Sequence, residues 1–450
     1  PGMADNFPSN VILAVAAGLS LSLLSIRKGI SRYGRRISRF SPQARRVLLY
    51  SLFLGLGHAI FSLLFNLYLK QLGYNEDFIG YLSAVNGLVA GLTAIGAGMI
   101  SNRLGRRRML VMGAALEGLV LLGLTFLTAR FLLLGLSAIG GLAFPLWFVS
   151  FYPFLTEHST EEERVHLFSV VMAIWLTTGM VGTALGGKLL ELYAHISHLV
   201  ADSPAAYRFA LSGTFFFYML GVTALATLRD QGDGIRSEES SSSPFLSLAD
   251  EALGKLVVMT LVTILIAWGA GLFFPFLNLF FKEHWSVAPG NVGLILAGAQ
   301  GLGFIGTLLA PTVALRFGKV RTMTFLHLMQ VPVLLGIGFL PSLWLVVPLL
   351  FARSLLKNTA GPSYDTFQME VVPDRLRTTV SSLAGIPSGL GFNLAWAAST
   401  AVAGRLIVSY GYPITYALAA VSYLVAAIIY YLYFQRYDVV RVTELAAKFG

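Results

Sequence analysis

Cysteine is absent from this chain, so disulfide staples and thiolate catalysis are excluded. A lipid-embedded bundle needs neither, and the absence leaves the compartment open. Charge is scarce as well. Asp, Glu, Lys and Arg make up 12% of the residues, and acids are the rarer sign, 22 against 32 bases. The sequence holds no phosphate-cradling P-loop, no His pair at metal-ligand spacing and no Gly-x-Ser-x-Gly nucleophile turn. These absences argue against an enzyme and leave no catalytic, metal or cofactor residue to nominate. Without an ATPase segment, any work the protein does must draw on a proton, sodium or solute gradient.

Apolar sequence is abundant. Hydrophobic residues make up 56% of the chain, and the mean hydropathy of +0.73 exceeds that of soluble globular proteins. Twelve apolar spans can be read, at 47–70, 77–101, 109–128, 131–155, 166–193, 206–228, 254–281, 290–313, 322–340, 343–370, 378–409 and 412–434. At 1.5 Å per residue, about 20 helical residues cross a hydrocarbon layer of about 30 Å; barrel strands would be half as long and alternate in polarity. The sequence therefore predicts an all-α, multi-pass integral membrane protein.

A net charge of +10 would suggest nucleic acid for a soluble protein. Here 24 of the 32 Lys and Arg fall on one side if the segment before span one is cytoplasmic; six fall on or near the other side, and Arg353 and Lys357 lie inside span ten. That asymmetry places both bundle termini in the cytoplasm of a cell-membrane protein, with no nucleic-acid partner.

The chain repeats itself. Gly98-Met-Ile-Ser-Asn-Arg-Leu-Gly-Arg-Arg-Arg108 has a weaker echo in Leu315-Arg-Phe-Gly-Lys-Val-Arg321, with Arg103 to Arg316 and Gly105 to Gly318 both 213 positions apart. Asn66-Leu-Tyr-Leu-Lys70 is matched by Asn278-Leu-Phe-Phe-Lys282, and Gly187-Lys-Leu-Leu-Glu-Leu-Tyr193 by Gly404-Arg-Leu-Ile-Val-Ser-Tyr410. Two six-helix bundles are implied, at 47–228 and 253–435. Between them, 229–252 is rich in Ser and acids and reads as a cytoplasmic linker, and 436–450 reads as a cytoplasmic tail. Residues 1–46 form a separate apolar and basic segment. Ile26, Ile30, Tyr33, Ile37 and Phe40 recur at helical spacing among Arg and Lys, as in a helix lying on anionic lipid over 26–40; a short extra span over 11–26 is the rival reading.

On these motifs the chain resembles the major facilitator superfamily of secondary transporters over about residues 47–435. Gly98, Arg103, Gly105, Arg106, Arg107 and Arg108 fill that family's loop 2–3 signature, with Asn102 in place of its acid, and Arg316, Gly318, Lys319 and Arg321 repeat it. The resemblance implies a conformational latch at these residues, with Gly98 letting two helices approach closely. Glu163-Arg164 and Asp374-Arg375 match acid-Arg pairs that the family places after spans four and ten. Gly179, Gly182, Gly186 and Gly187 resemble its antiporter motif, with Thr183 where the motif has Pro; close helix packing is the structural alternative. The family's proton-antiporter signature has an Arg well inside span four, whereas Arg130 lies at its outer end.

By the same resemblance, spans one, four, seven and ten line a central cavity. Arg353 and Lys357, one turn apart near the membrane midplane, should face water, an acid or a ligand, because facing lipid would cost about 2.5–3.5 kcal/mol each. Asn358, Tyr364 and Gln368 follow, and Gly361-Pro362 is expected to break the helix. Substrate-binding candidates are Arg353, Lys357, Asn358, Tyr364, Trp147, Tyr152 and Trp268. Glu117, Asp365 and His58 are candidates for proton coupling. Each has a structural reading: Arg353 and Lys357 paired with Asp365 or Glu117, the aromatics as packing, His58 as a hydrogen-bonded core group. Asn66 and Asn278, in equivalent places near the outer ends of spans one and seven, suit gating or capping. The favoured function is proton-coupled export of a small amphipathic or drug-like solute by a monomer. The alternatives are uptake or exchange of an organic anion held by Arg353 and Lys357, or a non-transporting membrane sensor or assembly factor.

Overall fold

The computed structural model describes residues 41–157, 159, 161–198, 200, 202–226, 250–373, 380, 383–385 and 389–449. The basic N-terminal segment up to residue 40, nearly all of the linker and the Asp374-Arg375 pair lie outside the described residues, as do the side chains of Asn102 and Glu163.

Twelve long helices follow one another: α1 (Pro42–Gln71), α2 (Glu76–Leu104), α3 (Arg106–Phe126), α4 (Arg130–Glu157), α5 (Glu161–Ser197), α6 (Pro204–Ala226), α7 (Asp250–Phe273), α8 (Pro289–Phe317), α9 (Lys319–Phe339), α10 (Leu343–Val371), α11 (Leu390–Tyr410) and α12 (Tyr412–Phe449). Ten candidate membrane spans occur among the described residues on length and apolarity. The other two long helices, α2 and α11, pack against each other at the centre of the molecule.

Local chemistry sets the helix ends. The Ser41 hydroxyl accepts the Ala44 N–H, with Pro42 in the first turn of α1. Glu76 and Asp77 complement the N-terminal dipole of α2. The two basic turns are conformational twins: Gly105 has φ 90° and ψ 136°, and Gly318 has φ 85° and ψ 153°. Only glycine adopts that region without strain, which costs other residues about 1–3 kcal/mol. Gly105→Ala and Gly318→Ala should therefore each lower the thermal midpoint in detergent, and the double variant should lower it by about the sum, because the turns are far apart.

Helix packing repeats as the sequence does. In the first half α1 packs on α5 and α6, α2 on α4, and α3 on α4 and α6; in the second half α7 packs on α11 and α12, α8 on α10, and α9 on α10 and α12. The halves meet through α2 on α11 and α5 on α8. The result is two six-helix bundles related by pseudo-two-fold symmetry.

Three helix expectations need correction. The sequence places span eleven as one run from residue 378; Val380, Leu383 and Ala384 are helical, but Gly385 is not, Gly389 is extended with its N–H donated to the Gly385 carbonyl at 2.8 Å, and α11 begins at Leu390. Glycine loses more conformational freedom on entering a helix than any other residue, a cost of about 0.5–1 kcal/mol relative to alanine. The expected break at Gly361-Pro362 is absent, since α10 runs unbroken through Pro348 and Pro362. A proline inside a helix removes one N–H bond, and neighbouring helices can hold the rest of the ladder in place. The interruption lies instead in span seven, where Pro275 sits in a 3₁₀ turn (Phe274–Phe276) and a π turn (Phe280–His284) follows.

Candidate functional site

The end of the molecule bearing Gly105 and Gly318 carries a duplicated ion pair. Arg106 Nη1 lies 2.7 Å from Glu157 Oε1 at the end of α4, and Lys319 Nζ lies 2.6 Å from Glu370 Oε1 near the end of α10. Glu157 and Glu370 escape motif reading, yet both members of each pair obey the 213-residue offset, a signal already present in the repeat. Arg107 donates to the carbonyls of Leu225 (3.2 Å) and Ala226 (2.6 Å), closing the C-terminus of α6 where the helix dipole favours a cation. Arg103, Arg108, Arg316 and Arg321 are exposed. These links stay within one half, and partly exposed pairs of this kind contribute about 1 kcal/mol or less. Gly98 does not make the close approach expected of it: a methyl group there would meet only Val149, at an ordinary 3.7 Å, and one at Gly96 would meet open space. Helices α2 and α11 have already diverged at that level.

At the opposite end the halves are tied together. Asn66 Nδ2 donates to the Pro275 carbonyl and Asn278 Nδ2 to the Leu63 carbonyl, both at 2.6 Å, a reciprocal contact between α1 and the interrupted segment that follows α7. Two Lys-carboxylate-Tyr clamps flank it. Lys70 lies 3.0 Å from Glu76, which accepts the Tyr412 hydroxyl at 3.2 Å. Lys282 lies 2.7 Å from Asp202, which accepts the Tyr207 hydroxyl at 2.8 Å. Arg405 donates to the Tyr81 hydroxyl.

Glycines let the backbones touch here. A methyl at Gly404 would lie 2.3 Å from the Glu76 carbonyl oxygen, one at Gly80 2.4 Å from the Thr400 carbonyl oxygen, and one at Gly187 2.8 Å from the Gly290 Cα. Gly182 and Gly186 likewise seat α5 on α1, so the α5 glycines make close packing on both sides. Further in, Gln300 Nε2 donates to Thr183 Oγ1 at 2.8 Å. The halves are thus held at the end away from the basic turns and diverge towards those turns.

The polar candidates divide between the wall of this divide and the bundle cores. His58 on α1 and Lys357 on α10 are accessible although protein crowds both, as expected of groups facing an internal cleft. Asp365 is accessible two turns beyond Lys357; the two charges sense each other, but no contact ion pair forms between them among the described residues. The expected Lys357–Asp365 salt bridge is therefore absent. Eight residues of helix separate the two by about 12 Å, more than side chains lying along one face close.

On α4, Phe144, Phe148 and Tyr152 recur every fourth residue and are half-buried, and Phe144 and Phe148 line a groove with Asn393 of the other half. Trp147 faces the other way, 4% exposed and stacked on Trp175 at 5.9 Å, so it is core. The sequence gives no signal for Trp175, since one aromatic among the apolar residues of span five reads as packing or lipid contact alike.

Tyr364 is buried as well. Its hydroxyl donates to the Met259 carbonyl at 3.0 Å and lies 2.9 Å from Thr263 Oγ1, bracing α10 against α7. Tyr364→Phe should cost about 1 kcal/mol of stability and leave solute affinity unchanged, as thermal unfolding and a binding titration would report. Asn358 donates to the Ser354 carbonyl at 2.8 Å and packs over Gly303 of α8; Gln368 donates to the Ala384 carbonyl, and Trp268 is half-buried against the second bundle's core.

Arg353 does not line the cleft with Lys357. It is 2% exposed, and its guanidinium carbon lies 4.4 Å from the centre of the Phe273 ring. No carboxylate comes within 4 Å of it among the described residues, and its Nε has no hydrogen-bond partner. A desolvated cation–π contact supplies about 2 kcal/mol, less than the several kcal/mol needed to bury the ion. Nor does Glu117 pair with Arg353. It lies within the first bundle near Tyr50 and Tyr218, and its Oε2 is buried without a partner.

Comparison with known proteins agrees with this architecture. A variant of the nucleoside transporter NupG superimposes with a TM-score of 0.72 at 13% identity, covering 87% of this chain and 100% of that one. A bacterial homologue of the human lysosomal transporter Spinster, in an inward-facing conformation, superimposes with a TM-score of 0.66 at 14% identity, covering 89% and 96%. No curated protein matches the chain in sequence. The family model for the Major Facilitator Superfamily matches residues 47–391, most of both bundles, and so this chain, with its paired basic turns and twinned six-helix halves, belongs to the Major Facilitator Superfamily of membrane transporters.

Proposed function

We propose that the chain exports a small amphipathic organic solute in exchange for protons, by rocking its two halves around the cleft between them. The observation that carries this reading is the make-up of the cleft wall. The first half presents the half-buried aromatic stripe Phe144, Phe148 and Tyr152, and α10 presents an accessible base and acid, Lys357 and Asp365, with no contact ion pair between them. An apolar stripe beside a few convergent polar groups suits a ligand with both characters. In this reading Lys357 holds the polar end of the solute on the outward step while Asp365 is deprotonated, and Asp365 carries the proton on the return step after the solute has left.

The excess of Lys and Arg at the basic turns supports a cytoplasmic position for that end, which makes the present arrangement open to the cytoplasm and latched outside by the Asn66–Asn278 pair and the two Lys-carboxylate-Tyr clamps. Closure of the cytoplasmic end would then bring Gly98 into the close contact it lacks here. A second reading, uptake or exchange of an organic anion, is favoured by the accessible Lys357.

Flux in proteoliposomes separates the readings. The solute panel holds cationic and neutral amphiphiles, nucleosides (chosen because a nucleoside transporter shares the fold) and organic anions. Movement of amphiphiles driven by an imposed pH gradient is the expected result. Anion movement insensitive to pH supports the second reading, and no flux of any solute would favour a sensor or assembly role.

A further inference from the structure

Gly361 stands in the open on α10. A methyl group there would meet no atom within 4 Å, not even the side chains of Lys357 and Asp365, which lie one turn before and one turn after it. The other sides of this stretch are occupied. Asn358 packs over Gly303, and Thr359 donates to the Gly306 carbonyl, both on α8. Tyr364 braces α7, and the Phe367 ring packs edge-on against Phe434 of α12. At about 100° per residue, Lys357, Gly361 and Asp365 fall within an arc of about 80°, the sector these contacts leave uncovered.

Open space beside a helical glycine is often lipid. Gly135 of α4 and Gly213 of α6 are equally bare, and the residues one turn from them are exposed and apolar: Leu132 and Ile139 around Gly135, Phe209 and Phe216 around Gly213. Gly361 is flanked instead by a cation and an anion, groups that turn from hydrocarbon towards water or a ligand. Glycine inside a helix is less favourable than alanine, and no neighbour demands it here. What it supplies is a strip of bare backbone between two charges, on which a flat group can lie in van der Waals contact.

We propose that Gly361 is a specificity-determining residue, whose bare backbone seats the flat aromatic body of a solute with its anionic end on Lys357 and a hydrogen-bond donor turned to Asp365. The half-buried rings of Phe144 and Phe148 on the first half suit the other face of such a body. The inference rests on the placement of the solute at Lys357, which the export and anion-exchange readings share, and not on direction or coupling.

The test follows the apparent Tm of the purified full chain in detergent while naphthalene carboxylate, which is flat, or adamantane carboxylate, equally charged but thick, is titrated in. The expected result is a saturable rise with naphthalene carboxylate, the thicker acid requiring at least about 10-fold more. Gly361→Ala should melt at or above the parent temperature without ligand, because alanine favours the helix, yet need about 10- to 200-fold more naphthalene carboxylate. Gly135→Ala should gain similar stability with affinity unchanged, which separates occlusion of the seat from stiffening of a helix. The proposal is overturned if Gly361→Ala binds naphthalene carboxylate as the parent does, if its unliganded Tm falls, or if the parent shows no rise. Lys357→Ala tells the two levels apart: affinity lost there but kept in Gly361→Ala strikes the seat alone, and affinity kept in both strikes the placement at Lys357 as well.

Discussion

Gly404→Val should force the protein open at the end that is now closed. The first added carbon would meet the Glu76 carbonyl oxygen at 2.3 Å and the Asp77 Cα at 2.8 Å, both backbone atoms that cannot rotate away. Overpacking of this kind costs about 1–3 kcal/mol, and here the cost falls only on the state in which α2 and α11 touch. Each 1.4 kcal/mol of difference between states changes their ratio about tenfold, so the closed-outside state should lose about 5- to 150-fold in population. Because the chain has no cysteine, a single Cys placed at Gln300, which bridges the halves to Thr183 inward of the closed end, reports the opening cleanly. In right-side-out vesicles it should resist a membrane-impermeant maleimide added outside in the parent and react in Gly404→Val. Equal protection in both would show that the contact can be relieved without separating the halves. Gly187→Val, which meets the Gly290 Cα and the Pro289 and Gly290 carbonyl oxygens at 2.8–3.0 Å, should act in the same direction.

Lys357→Ala should lower solute affinity by about 10- to 100-fold, the worth of a hydrogen bond to a charged group, with thermal stability nearly unchanged. Stability is spared because Lys357 makes no contact ion pair among the described residues and its side chain is accessible. Asp365→Asn should instead uncouple the carrier: solute exchange between equal pools persists, while accumulation driven by a pH gradient is lost. If Lys357→Ala retains full affinity, the polar end of the solute binds elsewhere. If Asp365→Asn still concentrates solute under a pH gradient, the proton rides on another group; His58 is then the accessible candidate on the cleft wall.

Much of the fold was legible because lipid imposes a length and a composition on each span. Twelve helices, two halves and the repeat all follow from apolar runs and from residues recurring at offsets of 212 to 217 positions. The twin geometry of Gly105 and Gly318 was legible for the same reason: each is a one-residue link between two long helices, a link that takes a positive φ here and at Gly411, and only glycine supplies it without strain. The start of α11 and the break at Pro275 were misjudged because hydropathy does not distinguish a helical turn from an extended or 3₁₀ one. At Pro362 neighbouring helices keep the ladder in place, and at Pro275 the chain gives way; proline alone cannot say which.

The candidate site was less legible. Arg353 and Lys357 are one turn apart on one helix, and spacing assigns them a shared role. Their environments differ because α7 brings Phe273 over Arg353 and leaves Lys357 to the cleft. Tyr364 and Trp147 carry the same residue types as ligand-binding aromatics, and only their partners, Met259, Thr263 and Trp175, place them in the packing.

The sequence alone determined the membrane, the helices, the duplication and the family, since each is written in composition or in residues adjacent along the chain. Tertiary structure alone decided which end is shut, which charge is buried and which is wet, and that Asn66 and Asn278 clasp each other's helices. Those outcomes depend on groups between 80 and 336 residues apart along the chain meeting in space, and no local pattern encodes such meetings.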